Sequence, residues 1–231
     1  MQNSHDSDDG ALVVLSGGQD STTCLYWAFE KFGAERVAAV SFDYAQRHKV
    51  ELQSAAQICA LSGTPHHILP INTFSALGGN ALTADIPVDQ YSGEESTRLP
   101  NTFVPGRNVI FLSYAAALAF QLNYHHLVTG VAQTDYSGYP DCRENTLKSL
   151  QQTLSLGMDY ALTIHTPLMH LSKKQTVQLA QQLNALPALG LSHTCYNGIR
   201  PGCGECPACV LRAKGFAEAG IADPLFSQNS G

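Results

Sequence analysis

The sequence predicts an α/β fold, a doubly wound and mainly parallel sheet of five strands with a small C-terminal cysteine module. Three observations predict it. Short apolar runs recur at spacings that leave room for a helix between each pair, the pattern of a parallel sheet covered on both faces. The first run opens into Ser16-Gly17-Gly18-Gln19-Asp20-Ser21. A strand that enters a glycine turn and then a helix N-terminus builds an anion site, because the glycines let backbone N–H groups approach closely and the helix dipole favours negative charge. Finally, Cys195, Cys203, Cys206 and Cys209 fall close together near the C-terminus.

The strands are expected at 11–15, 37–42, 67–71, 127–129 and 162–164. Helices lie between them. The first, 21–32, carries Leu25, Phe29 and Phe32 on one face and stops at Gly33, a good residue for leaving a helix. The next, 47–61, carries Val50, Ile58 and Leu61 and stops at Ser62-Gly63. The third, 108–122, is apolar on most faces and is expected to be buried. An amphipathic pattern covers 143–156. Ser172-Lys173-Lys174-Gln175 fits a capping box that opens a helix to 184, and a last helix is expected at 207–219. Residues 72–107 resist this scheme. A stretch that long, with scattered Gly, Pro and Ser, reads as a lid or interface segment. The expected organisation is a disordered lead-in at 1–10, a nucleotide-binding domain at 11–190 and a cysteine module with its helix at 191–231. Ligands of such sheets bind outside the carboxyl ends of the strands, where the glycine loop falls.

Composition narrows the functional classes. Apolar content of 44% over 231 residues is ample for one packed core. A net charge of −6 argues against nucleic acid as a direct partner. Residues 1–10 lack the apolar centre of a secretory signal. The longest mostly apolar stretch, 109–120, is too short to span a bilayer. The expected location is the cytoplasm.

The cysteine spacing is C-x7-C-x2-C-x2-C. In a reducing compartment such a cluster points to a metal rather than to disulfides. Four thiolates fill a tetrahedral sphere, so one structural Zn2+ is expected, with an iron–sulfur cluster as the rival. Cys24 and Cys59 lie in helical patterns and read as small core residues. Cys142, in a polar loop, is read as packed in preference to a nucleophile.

The glycine loop is not a Walker A loop, since no lysine follows the glycines, and it lacks the G-x-G-x-x-G of a dinucleotide fingerprint. Other candidate site residues follow the strands. Tyr44, Gln46, Arg47 and His48 come after the second strand. Arg107, in Val104-Pro105-Gly106-Arg107-Asn108, precedes the apolar helix and suits a phosphate or carboxylate. Asp135, Tyr136, Asp141 and Arg143 cluster after the fourth strand. Aromatics with acids suit a heterocycle bearing ring N–H groups, and an arginine suits a carboxylate on it.

The order S-G-G-Q-D-S-T-T-C, S-F-D-Y-A-Q-R-H, V-P-G-R-N, T-D-Y-S-G-Y-P-D-C-R, T-P-L-M-H-L-S-K and C-Y-N-G-I-R-P-G-C-G-E-C-P-A-C resembles the 7-cyano-7-deazaguanine synthases of queuosine biosynthesis. These are ATP pyrophosphatases of the PP-loop type, with a Rossmann-like fold of the adenine nucleotide alpha hydrolase kind. The resemblance implies that 7-carboxy-7-deazaguanine, ammonia and ATP give the nitrile preQ0, by adenylation first of the carboxylate and then of the amide. It places ATP on Leu15, Ser16, Gly17, Gly18, Gln19, Asp20, Ser21, Thr22, Thr23, Cys24 and Leu25, with Arg107 added. Asp20 then orders the loop or binds Mg2+. Ser16, Asp20 and Arg143 are the expected catalytic residues, and Arg143, Asp135 and Tyr136 the deazaguanine contacts. The resemblance also suggests a homodimer supplied with free ammonia. Three other readings remain open from sequence: an adenylating enzyme acting on tRNA, of thiolation or lysidine type, a nucleotide sensor without chemistry, and a zinc-dependent nucleic-acid-binding protein supported only by the four-cysteine knuckle.

Overall fold

The computed structural model describes residues 9–44, 49–73, 87, 99, 101–133 and 139–227. Gln46, Arg47, His48, Asp135, Tyr136 and most of the 72–107 segment lie outside the described residues.

Five parallel strands form one sheet, β1 (Ala11–Val14), β2 (Val37–Asp43), β3 (His66–Pro70), β4 (His126–Thr129) and β5 (Thr163–His165), in the order β3-β2-β1-β4-β5. The strand order reverses between β1 and β4, the position where a doubly wound sheet opens a crevice. The helices are α1 (Gln19–Phe32), α2 (Val50–Ser62), α3 (Arg107–Gln121), α4 (Glu144–Met158), α5 (Lys173–Gln182), α6 (Leu186–Leu189), α7 (Pro207–Ala219) and α8 (Pro224–Ser227).

Alternation along β1 divides its side chains between two cores. Ala11, Val13 and Leu15 pack with Leu25, Ala28 and Phe32 of α1 and with Ala55 and Ile58 of α2. Leu12 faces the opposite layer, with Leu112, Ala115, Ala116 and Ala119 of α3 and with Leu147 and Leu150 of α4. Each such leucine or isoleucine, fully removed from water, contributes about 1.5–3 kcal/mol. Cys24 and Cys59 are buried in this core as expected, and burial pushes both thiols up.

The expectation that the helix at 108–122 is buried on most faces is corrected. Tyr114 is 51% and Phe120 45% exposed. A helix in an outer layer packs only one side, and the small alanines of α3 already fill that side. The capping box is present with both of its bonds, but α5 ends at Gln182 rather than 184. The last long helix matches 207–219 and ends at Gly220, whose φ of 69° suits glycine. Among the described residues, no helix is long and apolar enough to cross a membrane.

Candidate functional site

The loop after β1 sits at the switch point between β1 and β4. Leu15 still pairs with β2, its N–H donating to the Val40 carbonyl at 2.8 Å. The chain then turns through Gly17 at φ 83°. Gly18 is the N-cap of α1 and receives no side-chain cap, so the first turn of α1 presents N–H groups that lack helical partners. Gly130, just after β4, lets that turn come close, since a Cβ there would lie 2.8 Å from the Ser21 nitrogen.

Hydroxyls brace the turn from within. Ser16 Oγ and Ser21 Oγ are 2.9 Å apart, and the Gly18 N–H donates to Ser16 Oγ. Thr22 Oγ1 donates to the Gly18 carbonyl at 2.7 Å and Thr23 Oγ1 to the Gln19 carbonyl at 2.9 Å. Ser16 is exposed at the mouth. Thr22, Thr23, Cys24 and Leu25 are fully buried, with Leu25 and Cys24 in the core. Gln19 is buried with its Nε2 left without a hydrogen-bond partner among the described residues.

Asp20 stands at the same helix start. Its Oδ2 accepts from Lys173 Nζ at 2.7 Å, while its buried Oδ1 has no hydrogen-bond partner among the described residues. An orphaned carboxylate oxygen beside an anion cradle suits a hard cation such as Mg2+. In the sequence Lys173 stands in the capping box and at the end of T-P-L-M-H-L-S-K, and neither assigns it a partner. Its role was hidden because the two residues are 153 positions apart.

A second group of side chains faces Arg107 at the start of α3. Tyr44, Tyr139, Tyr196 and Glu51 lie within electrostatic reach of it, and Tyr44 hydrogen-bonds it. Burial pushes the Glu51 carboxyl up to about 7 despite the opposing pull of Arg107. Burial likewise pushes Tyr44 to about 12. Glu51 was not anticipated. It lies inside a helical stretch with no local motif, and only the packing of α2 against the loop brings it there.

Asp141 is 6% exposed, and its Oδ2 accepts the Asn108 N–H at 3.0 Å, so it caps the start of α3. Asn108 Nδ2 donates to Cys142 Sγ at 3.1 Å, which holds that cysteine in the same bracket. Arg143 is the N-cap of α4 and its side chain is exposed.

The four C-terminal cysteines converge, with all sulfurs within 4.8 Å of one another. Zn–S bonds of about 2.3 Å in a tetrahedron place sulfurs about 3.8 Å apart, and Cys203 and Cys209 Sγ are 3.9 Å apart. The Glu205 and Cys206 N–H groups donate to Cys203 Sγ. Hydrogen bonding with Cys209 holds the Cys206 thiol down to about 5, while the same bond and burial push Cys209 up. The donor set fits a metal ion held by thiolates.

Residues 10–220 match the family model described as queuosine biosynthesis protein QueC. The chain is 64% identical to the 7-cyano-7-deazaguanine synthase of Chromobacterium violaceum over 222 residues, 96% of this chain and 95% of that protein. It is 62% identical to the protein of the same name from Laribacter hongkongensis, over 96% of each chain. Among solved structures, NMN synthetase from Francisella tularensis aligns with a TM-score of 0.48 at 17% identity, over 97% of this chain and 79% of that one. The glycine loop, the cysteine cluster and the match over nearly the full length agree, and the chain belongs to the queuosine biosynthesis protein QueC family.

Proposed function

We propose that the protein is a ligase that converts 7-carboxy-7-deazaguanine and ammonia to 7-cyano-7-deazaguanine with two ATP. The observation that carries this reading is near full-length identity above 60% to synthases of that name. The open N-terminus of α1 at the sheet's switch point supports it. A carboxylate oxygen is a poor leaving group. Its attack on the α-phosphorus of ATP releases pyrophosphate and gives an acyl adenylate. Ammonia displaces AMP and loses a proton, leaving the amide. The amide oxygen is adenylated in turn, again with release of pyrophosphate. Loss of AMP and of the remaining N–H protons then gives the nitrile.

In this reading the backbone of Gly17 and Gly18, the Ser16 and Ser21 hydroxyls and the first turn of α1 hold phosphates. Mg2+ at Asp20 would neutralise pyrophosphate charge, with Lys173 adding a second cation there. Thr22, Thr23, Cys24 and Leu25 support the loop from inside. Arg107 with Tyr44 faces the phosphates or the carboxylate. Arg143, Asp135 and Tyr136 contact the deazaguanine. Cys195, Cys203, Cys206 and Cys209 hold one structural Zn2+, so residues 191–231 act as a metal module on the nucleotide-binding body of residues 11–190. The assembly is a homodimer, a reading supported by the exposed Tyr114 and Phe120. The enzyme works in the cytoplasm without direct contact to nucleic acid. An adenylating enzyme acting on tRNA is not favoured, given the relatives' shared name.

Mass spectrometry after incubation with ATP, Mg2+, ammonium and 7-carboxy-7-deazaguanine tests the reading. A nitrile with AMP and pyrophosphate is expected, and ATP binding without any nitrile would overturn the substrate assignment. Cys206→Ser is expected to give zinc-depleted, poorly soluble protein. Full zinc content with normal solubility would remove the structural-site assignment.

A further inference from the structure

Gly17 has the most confined backbone of the glycine loop. A Cβ there would clash with the Glu51 carbonyl oxygen and lie 2.9 Å from the Ala55 nitrogen and 3.1 Å from Ser54 Cβ. On its other side the Gly17 carbonyl accepts the His193 N–H at 2.8 Å. The residue is therefore held between the first turns of α2 and the chain that leads into Cys195.

Three contacts join that chain and its module to the loop. His193 is 2% exposed, and its Nε2 lies 2.8 Å from the Cys195 carbonyl. A carbonyl only accepts, so Nε2 carries the proton. Arg200, in the turn between Cys195 and Cys203, donates through Nη1 to Ser54 Oγ at 3.1 Å and to the Leu191 carbonyl, and through Nη2 to the Gly190 carbonyl. Ser54 is the residue whose Cβ borders Gly17. Lastly, Gly215 of α7 packs on Lys173, since a Cβ at Gly215 would lie 2.9 Å from Lys173 Cβ, and Lys173 holds Asp20.

We propose that His193 and Arg200 are positioning residues that transmit the geometry of the four-cysteine centre to Gly17, so that metal occupancy sets the affinity of the loop for nucleotide. This rests on the reading of the loop as the ATP site. Among the described residues the cysteine turn has little apolar core of its own, the cysteines with Tyr196 and Ala208, so a bound metal supplies most of its order. Without that anchor, the Cys195 carbonyl and the Arg200 guanidinium lose their fixed positions. Gly17, which has the widest backbone freedom of any residue type, then no longer presents a preorganised phosphate cradle.

The test compares wild type, His193→Leu, His193→Gln and Arg200→Ala for zinc per chain, cooperative melting and the Kd of ATP with Mg2+ by calorimetry. His193→Leu and Arg200→Ala are expected to keep their zinc and to bind ATP about tenfold more weakly. His193→Gln, whose amide still reaches the Cys195 carbonyl as a donor, is expected to recover most of that loss. Stripping zinc from wild type is expected to weaken ATP binding as well, and stripping it from Arg200→Ala to add little, the non-additivity of a shared route. Wild-type affinity in Arg200→Ala at full zinc content overturns the proposal, and this variant decides the matter if His193→Leu does not fold. Wild type that binds no ATP overturns instead the nucleotide reading beneath it.

Discussion

Two regions of the molecule hold buried ionisable groups, and they have opposite characters. At the β1/β4 switch point, Glu51 and Arg107 lie beside an open helix start, a loop glycine at positive φ and an orphaned Asp20 oxygen. At the β5 edge, beside the C-terminal half of α1, His165 Nε2 and His126 Nδ1 are 3.1 Å apart and His126 Nε2 is 3.7 Å from Asp9 Oδ2. There Phe32 stacks on His126, Trp27 packs on His165, and Lys31 sits over Trp27. Burial, then Lys31 and His126, lower His165 to about 4. A shifted pKa marks burial in both places. Open backbone donors and a close-approach glycine distinguish the region that can hold a ligand.

The largest expected effect falls on the loop. Asp20→Ala should lower AMP formation by at least about 100-fold while thermal melting stays near wild type. Normal turnover in this variant would erase the contrast between the regions. His165→Phe should leave AMP formation unchanged.

Stability against pH separates the regions by sign. An unfolded chain protonates His165 near its ordinary value of about 6.5, whereas the folded chain does so only near 4. Stability therefore falls as pH drops from about 6.5 towards 4, by an amount on the order of 2 kcal/mol. His165→Phe should flatten that limb in urea unfolding. Glu51 acts in the other direction. Its carboxyl ionises near 4.5 in the unfolded chain and near 7 when folded, so its contribution is lost as pH rises between those values and is constant above them. Glu51→Gln should raise stability at pH 8 by an amount also on the order of 2 kcal/mol, with no gain at pH 4. Equal slopes in wild type and both variants would mean that neither group is as buried as its packing implies.

The smallest effect sharpens how the loop is supported. Ser172→Ala removes the side-chain cap of α5, the helix that begins with Lys173. It should cost about 1 kcal/mol in chemical denaturation. A larger loss in ATP affinity than in stability would show that the cap aims Lys173 at Asp20.

Much of this architecture was legible locally. The five apolar runs, the capping box at Ser172 and the C-x2-C spacing each depend on residues within one turn or one strand of one another. The glycine loop could be read because a strand, two glycines and a helix start are contiguous. Glu51 and His193 were not legible, because nothing in their neighbourhoods distinguishes them from a helix residue and a loop histidine. Asp141 was legible as a candidate ligand group, but its bond to the Asn108 N–H, 33 residues away, was not. The exposed side of α3 was misjudged because an apolar composition does not say how many neighbours surround a helix.

By itself the sequence determined the five strands and the six longer helices to within a few residues, the glycine turn that opens a helix N-terminus, and which four sulfurs can share a metal. These follow from short-range periodicity, glycine stereochemistry and ligand spacing. Only the tertiary structure decided that Lys173 meets Asp20, that Arg200 meets Ser54 across 146 residues and that the His193 N–H meets the Gly17 carbonyl. The strand order β3-β2-β1-β4-β5 brings distant loops to one edge of the sheet, and chain separation carries no information about which of them will touch.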